Sequence, residues 1–310
     1  MQTTTQPLSF SWRDLTLVGT LHLPEGSGPH PAIVMLQGSG ESDRDSFGYF
    51  PPIRDVLLQR GVAVYSYDKP GIGESNGDWR NYALYDRADQ GMAAIEAVRS
   101  ADGIDPERVG VWGHSQGGWI VQILAADHPE LPFVVASAGP AIDVTAQDLY
   151  GCEQMLRKAG LPETEIERSL AAFGAVHDAA LRGDDFASVQ QIFEGARNEQ
   201  WAQYLPIESE ALWRMMCAFT QEAYDPPSTL ARIRCPFLAV FGSLDLLVPA
   251  RESARICSEA LDEAGNTNSA VAVFSGANHR LLIDDTGEFV DGYLDMLAAW
   301  VARFAGVAVS

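Results

Sequence analysis

"VGVWGHSQGGWI", residues 109–120, decides the fold. It starts as a short apolar run of the kind found in buried strands, continues as a G-x-S-x-G pattern centred on Ser115, and then takes up helical periodicity. Between a strand and a helix, this pattern holds the serine in a sharp, strained turn, and its glycines leave room for neighbouring chain. The turn exposes the hydroxyl beside the positively polarised start of the following helix. Ser115 is therefore predicted to be a nucleophile.

Apolar runs alternate with helical patterns on both sides of this turn. "AIVMLQG", "VAVYSYD" and "FVVASAG" are typical of strands covered on both faces, whereas "LSFSW" and "LTLVGTLHLP" alternate like half-exposed antiparallel strands. Helical patterns cover residues 50–59, 85–99 and 116–126, and a last helix is expected over 288–305. This order predicts an α/β protein with a mostly parallel, doubly wound sheet of about eight strands.

The alternation stops near Pro140 and resumes near Arg234. The interval is rich in helix-forming residues and poor in strand patterns, which predicts a helical insertion over the ends of the strands. We therefore expect a core domain formed by residues 1–140 and 231–310, and a helical cap, or lid, formed by residues 141–230.

A serine hydroxyl needs a base to take its proton and an acid to orient that base. In folds that carry this motif, the acid and then the histidine follow the serine, each at the end of a strand. His279 follows the last predicted strand and is the predicted base, and Asp245 follows the penultimate strand and is the predicted acid. Asp143, one strand earlier, is the alternative acid.

Other ionisable residues near these positions are weaker candidates. His128 is expected at a helix end, and His177 falls in the cap. The side chain of His114, although adjacent to the serine, is expected to point away from the site. Asp284 and Asp285 follow the histidine and are therefore in the wrong order for the acid.

"QGSGESDRD", residues 37–45, is a glycine-rich turn after a buried strand. It lacks the glycine–lysine pair of a phosphate-binding loop and the third glycine of a dinucleotide fingerprint. The alternative is an oxyanion hole, in which one backbone N–H comes from the residue after the nucleophile, Gln116, and the second from this loop. Ser39 is the predicted second donor, with Gly38 and Gly40 as the alternatives. Arg44 is expected to form an ion pair with Asp43 or Asp45.

These motifs together resemble the α/β-hydrolase superfamily. "YDKPGIGESNGDW" is similar to its D-x-x-G-x-G-x-S loop, with matches at Asp68, Gly71, Gly73 and Ser75. "GSGESDRD" resembles the G-S-G-x-x-D-R-D stretch of bacterial esterase-like and serine-aminopeptidase-like members. The resemblance covers about residues 15–140 and 232–305, and the cap resembles nothing that we recognise. It implies the α/β-hydrolase fold and acyl chemistry through a catalytic triad.

The composition narrows the choice of partners. With 42 acidic and 21 basic residues, the net charge of −21 disfavours nucleic acid and anionic membranes. No apolar run reaches the length of a membrane span, and the first residues lack a secretory signal, so a soluble, cytoplasmic protein is expected. The four cysteines have no metal-binding spacing and are expected to be reduced.

The sequence therefore predicts a serine hydrolase that cleaves a carboxylic ester of a small or medium acyl substrate through an acyl-enzyme, without metal or organic cofactor. Homo-oligomerisation is left open. Apolar cap side chains either line the acyl pocket or hold the cap together: Trp201, Tyr204, Trp213, Met215, Met216 and Phe219.

Three alternatives remain open from the sequence. The first is an aminopeptidase-like enzyme, in which cap carboxylates would bind a substrate ammonium: Glu194, Glu199, Glu208 or Glu210. The second is a thioesterase or acyltransferase on the same scaffold. The third is a binding protein that keeps the fold without catalysis.

Overall fold

The computed structural model describes residues 4–202 and 209–307. In this part of the chain, eight strands form one sheet in the order β1-β2-β4-β3-β5-β6-β7-β8. The strands are β1 Thr4–Trp12, β2 Leu15–Leu23, β3 His30–Leu36, β4 Ala63–Tyr67, β5 Ile104–His114, β6 Val134–Ser137, β7 Phe237–Gly242 and β8 Ser269–Phe274. β2 is antiparallel to β1 and β4, and all other pairs are parallel. The predicted mostly parallel sheet of about eight strands is confirmed.

Helices cover both faces of the sheet. They are α1 Phe50–Gln59, α2 Leu84–Arg99, α3 Gln116–Asp127, α4 Val144–Lys158, α5 Glu163–Arg182, α6 Phe186–Ala196, α7 Glu210–Gln221, α8 Pro226–Leu230, α9 Ala250–Glu263 and α10 Tyr293–Phe304. Helices α1 and α10 bury apolar side chains against one face, and α2, α3 and α9 against the other. Double coverage explains why β3, β4 and β7 are almost continuously apolar.

The chain between β6 and β7 contains helices α4 to α8. Two clusters of buried apolar side chains lie within this helical segment, separate from the two clusters on the sheet. Its function as a cap remains a prediction. No helix in the described ranges combines the length and apolar character needed to cross a membrane.

The last helix begins later than the sequence pattern indicates. Helix α10 starts at Tyr293, not near Glu288, because Gly292 adopts a left-handed conformation with φ of 81°. Residues before it form a turn in which Leu282 pairs with Phe289. The apolar residues there continue the helical periodicity although the backbone is not helical.

Helix α3 approaches the sheet closely through a pair of glycines. A methyl group at Gly118 would lie 2.2 Å from the Cα of Gly139, which follows β6. The contacting atoms belong to the backbone of Gly139, so no side-chain rotation relieves that contact. The small residues therefore set the distance between α3 and the end of β6.

We expect Gly118→Ala to lower the free energy of unfolding by about 1–3 kcal/mol, since overpacking displaces backbone. Gly174→Ala is the matched control, because Gly174 is also helical and has open space where a methyl group would lie. This control should be neutral or stabilising by about 0.5–1 kcal/mol. Urea denaturation measures both, and equal stabilities of the two variants would contradict the close approach.

Candidate active site

Ser115 lies at the carboxyl end of β5 with φ of 56° and ψ of −120°, a conformation that non-glycine residues rarely adopt. Its N–H donates to the carbonyl oxygen of Ser137 at 2.9 Å, which ties the turn to the end of β6. A methyl group at Gly113 would lie 2.1 Å from the carbonyl oxygen of Gly117. The two glycines of the motif are therefore required by the close approach of the backbone on either side of the serine.

Asp245 and His279 meet after β7 and β8. His279 Nδ1 lies 2.7 Å from Asp245 Oδ2, and the Asp245 side chain is fully buried. The other carboxylate oxygen accepts the N–H groups of Leu247 and Val248 at 2.8 and 2.9 Å. With Nδ1–H donated to Asp245, Nε2 is the histidine nitrogen that can accept a proton.

His114 takes a different place from the one expected. Its side chain is buried, and its ring centroid lies 4.8 Å from that of His279 and 4.8 Å from that of Tyr49. Burial, followed by repulsion from His279 and Arg280, lowers the pKa of His114 well below its ordinary value. Rather than pointing away, a neutral His114 packs against the ring of His279 and links it to the turn at Ser115.

The alternative acid has another role. Asp143 caps helix α4, and its Oδ1 accepts the N–H of Ala146 at 2.9 Å. Of the other histidines, His128 ends α3 and His177 lies in α5. Asp284 accepts a hydrogen bond from the Asn278 side chain at 2.7 Å.

The glycine-rich loop after β3 lies directly against the serine. A methyl group at Gly38 would be 3.1 Å from Ser115 Cβ, and Ser39 and Gln116 line the same pocket as Ser115. Neither the N–H of Ser39 nor that of Gln116 has an acceptor among the described residues. Both N–H groups are therefore available to a ligand at the serine.

Side chains from neighbouring loops hold this glycine-rich loop in place. Lys69 Nζ donates to the carbonyl oxygens of Gly38 and Gly40 at 2.5 and 2.6 Å. Arg87, in α2, donates to the carbonyl of Gln37 at 3.1 Å. These bonds fix the carbonyl groups of the loop in place.

Arg44 does not pair with Asp43 or Asp45. Its guanidinium instead forms a bidentate contact with Asp68, at 2.5 Å for the shorter bond, and a second ion pair with Glu74. Asp43 is engaged locally, since its Oδ1 accepts backbone N–H groups two and four residues later. The arginine therefore reaches the loop after β4 and connects the two loops that carry the recognised sequence motifs.

A pocket of about 360 Å³, here called the serine pocket, opens at Ser115. It is lined by Ser39, Ser115, Gln116, Trp119, Val144, Gln147, Asp148, Leu212, Met215, Met216, Phe219 and Leu247. Helices α4 and α7 thus supply much of its wall. Its volume falls in the range of small-molecule sites.

The six predicted pocket residues have different positions. Met215, Met216 and Phe219 line the serine pocket. Trp213 instead packs in the buried cluster with α5 and donates its Nε1–H to the carbonyl of Asp184 at 2.9 Å. Trp201 packs in the other buried cluster of the helical segment, and Tyr204 lies outside the described residues.

Asp148 is the carboxyl group in the serine pocket. Its side chain is 44% exposed and also lines a second pocket, where Oδ2 lies 3.5 Å from Nε2 of His177. Burial by the surrounding helices, with a contribution from Asp143, raises the pKa of Asp148 to about 7. Burial lowers the pKa of His177 to about 4, so the histidine is neutral at pH 7 and the contact is not an ion pair.

Comparison with known proteins agrees with this architecture. The sequence profile described as "Alpha/beta hydrolase family" matches residues 33–292. The chain belongs to this family. The resemblance and the fold predicted from the sequence are confirmed.

Named relatives of this hydrolase include esterases. It is 26% identical over 316 residues to Esterase EstD of Thermotoga maritima, covering 96% of this chain and 69% of the relative. It is 30% identical over 125 residues to 2,6-dihydropseudooxynicotine hydrolase of Paenarthrobacter nicotinovorans, covering 38% of this chain and 31% of that protein. The structure of the Pyrococcus furiosus esterase Pf2001 matches with a TM-score of 0.63 at 17% identity, covering 98% and 94% of the two chains.

Three residues of the hydrolase site escaped the sequence analysis: Lys69, Arg87 and Asp148. Lys69 stands within the D-x-x-G-x-G-x-S stretch, and it is one of two lysines in the chain, with Lys158. Because lysine is so rare in this chain, its presence within that motif could have marked Lys69 as a residue of the site. Arg87 and Asp148 occupy ordinary helical positions, and no sequence pattern distinguishes them from surface charges.

We expect Asp148→Asn to raise the stability of the hydrolase at pH 8.5 but not at pH 4. Because the folded pKa lies near 7, above the usual 3.8, the folded state holds a proton that the unfolded state has lost. The loss of stability caused by this carboxyl group therefore builds up between about pH 4 and pH 7, is complete above pH 7, and is absent below pH 4. After allowance for its partial exposure, the gain should be on the order of 1 kcal/mol, or a few degrees in Tm.

Thermal unfolding followed by circular dichroism at the two pH values measures this difference. Asp262→Asn, on an exposed face of α9, is the matched control for the loss of a surface carboxylate. An equal shift of Tm at both pH values would show that the carboxyl group of Asp148 is not perturbed.

Proposed function

We propose that this hydrolase cleaves carboxylic esters of small or medium acyl groups through a serine acyl-enzyme. The observation that carries the proposal is the 2.7 Å contact between His279 Nδ1 and the buried carboxylate of Asp245. A fully buried carboxylate that accepts two backbone N–H groups and one histidine is suited to orienting a base. The strained serine supplies the nucleophile, and it directly follows His114, whose ring lies 4.8 Å from that of His279.

In the proposed reaction, His279 Nε2 takes the proton of Ser115 as its oxygen attacks the acyl carbonyl. The N–H groups of Ser39 and Gln116 stabilise the oxyanion, and His279 then protonates the departing alcohol. Water, activated by the same histidine, attacks the acyl-enzyme and releases the acid. Asp245 stabilises the positive imidazolium in both steps.

The shape of the serine pocket supports a compact acyl group. Its apolar wall comes mainly from α4 and α7, including Val144, Leu212 and Met216. These helices belong to the segment predicted to be a cap, which we propose sets the preference for acyl length. The esterase names of relatives such as EstD support ester hydrolysis.

The aminopeptidase alternative finds less support. Glu199 is paired with Arg168, Glu210 begins α7, and Glu208 lies outside the described residues. Neither Glu194, Glu199 nor Glu210 is among the residues that line the serine pocket. Asp148 does line it, but with a pKa near 7 this group is only partly ionised at neutral pH.

Ser115→Ala should abolish turnover of p-nitrophenyl acetate and butyrate while leaving the fold intact, because the nucleophile is lost. Wild type should show an initial burst or steady release of p-nitrophenol in stopped-flow absorbance. Circular dichroism and Tm provide the control for folding. Residual activity within tenfold of wild type would contradict a role of Ser115 as nucleophile.

Asp245→Asn should lower kcat/KM by several orders of magnitude, because the amide favours the wrong histidine tautomer. Asp143→Asn is the matched control at the alternative acid. Asparagine still caps a helix well, so that variant should keep activity within about threefold and lose little stability. A large loss from Asp143→Asn, with a small one from Asp245→Asn, would move the acid to the end of β6.

A further inference from the structure

A second, smaller cavity adjoins the serine pocket on the side of α2. Its volume is about 20 Å³, enough for one water molecule or one small polar group. Ser39, Gln116, Met215 and Phe219 line both spaces, so the cavity opens beside the two available N–H groups. We call it the donor cavity, because of the groups that face it.

Two cationic side chains line the donor cavity, Lys69 and Arg87. Neither forms an ion pair with a carboxylate in the described part of the chain. Lys69 is 2% exposed and lies below the Trp79 ring, with Nζ 5.7 Å from its centroid. Burial and the charge of Arg87 lower the pKa of Lys69 well below its usual range, and burial lowers that of Arg87 to about 10.

Two further side chains that line this cavity each carry a buried N–H donor without a partner among the described residues. Gln90 is 3% exposed, and its Oε1 accepts the hydroxyl of Tyr67 at 3.2 Å, whereas its Nε2 has no acceptor. The buried Nε1 of Trp79 likewise has none. A buried donor without an acceptor is destabilising, so each of these two N–H groups has a use for an acceptor.

The lining residues include no carboxylate. Nearby acids are engaged elsewhere: Asp68 is paired with Arg44, and Glu222 accepts the N–H groups of Leu84 and Tyr85. Four side chains that carry N–H donors thus line this cavity. Holding the glycine-rich loop explains the hydrogen bonds of Lys69 and Arg87, but it explains neither Gln90 Nε2 nor Trp79 Nε1.

We infer that the donor cavity binds a carboxylate of the substrate, close to the carbonyl that reacts at Ser115. This inference rests on the proposed ester hydrolysis and narrows its substrate class to esters that also carry a free carboxylate. The space admits a single small group, so a bulky polyanion is excluded by size. The carboxylate accepts from Gln90 and Trp79 and neutralises the facing cations.

The test compares isosteric esters that differ in charge. Monomethyl glutarate is paired with methyl 4-carbamoylbutyrate, in which an amide replaces the carboxylate, and succinate and adipate half-esters vary the distance. O-acetylglycolate, paired with its amide, places the carboxylate on the alcohol side. Release of acid is followed in a pH-stat, and the readout is the ratio of kcat/KM for the carboxylate over the amide.

In wild type we expect this ratio to be about 10 to 100 for at least one pair, as charge-assisted hydrogen bonds provide. Gln90→Glu places an internal carboxylate next to the cations and should reduce the ratio to about one or below. Trp79→Phe keeps an aromatic ring but removes the indole N–H, and should lower the ratio about fivefold. Gln59→Glu and Trp300→Phe, on helices across the sheet, are the matched controls and should keep the wild-type ratio.

A ratio near one in wild type for every pair would overturn the inference, and so would ratios unchanged by both Gln90→Glu and Trp79→Phe. If both members of a pair are hydrolysed equally, the donor cavity holds only water while the proposed ester hydrolysis stands. If neither is hydrolysed, calorimetric titration of Ser115→Ala with monomethyl glutarate and with its amide decides. Binding of the carboxylate at least tenfold tighter supports the inference, and equal binding refutes it.

Discussion

The backbone at Ser115 turns from β5 into α3 through a positive φ of 56°, and the surrounding chain is arranged to hold it there. A residue in such a conformation costs on the order of 1–3 kcal/mol, which packing elsewhere must offset. The compensation is visible in the close contact between α3 and the sheet, where a methyl group at Gly117 would lie 2.6 Å from the carbonyl of Leu36. The bond from Ser115 N–H to Ser137 adds to it. The backbone strain at Ser115, the glycine that follows it at position 117 and the position of α3 therefore depend on one another.

Adjacent residues at the end of β4 hold the glycine-rich loop by opposite charges. Asp68 receives the guanidinium of Arg44 and the N–H of that same residue, while Lys69 donates to the carbonyls of Gly38 and Gly40. Asp68 and Lys69 therefore hold the glycine-rich loop at two points. A lysine suits this place because its compact ammonium fits between two carbonyl oxygens, whereas a planar guanidinium requires more room. This explains why the loops after β3 and β4 carry recognisable motifs together.

Linear order was sufficient to predict that Asp245 and His279 lie together, because the carboxyl ends of parallel strands meet at one edge and each residue follows its strand directly. It was insufficient for Arg44, whose sequence neighbours looked like natural partners. The carboxylate of Asp43 accepts backbone N–H groups in a local turn, and the guanidinium of Arg44 pairs with Asp68 in the next loop instead. For the apolar residues of α7, the sequence left open whether they line a pocket or pack within the helical segment. The structure shows both, since Trp213 packs in a buried cluster and Met216 lines the serine pocket. Periodicity identifies apolar positions, but it does not say which neighbour covers them.

The surface charge and the donor cavity act over different distances. A net charge of −21 repels anions from afar, but salt screens that field beyond about 8 Å at physiological ionic strength. Lys69 and Arg87 act inside the protein, where low polarisability strengthens a contact and no carboxylate from the described residues competes. An acidic exterior therefore discourages extended polyanions, which meet many surface charges at once, more than a small monoanion. The surface charge acts at long range and the buried cations act only at contact. Together with the small size of the cavity, this difference makes the inferred site selective for one short carboxylate.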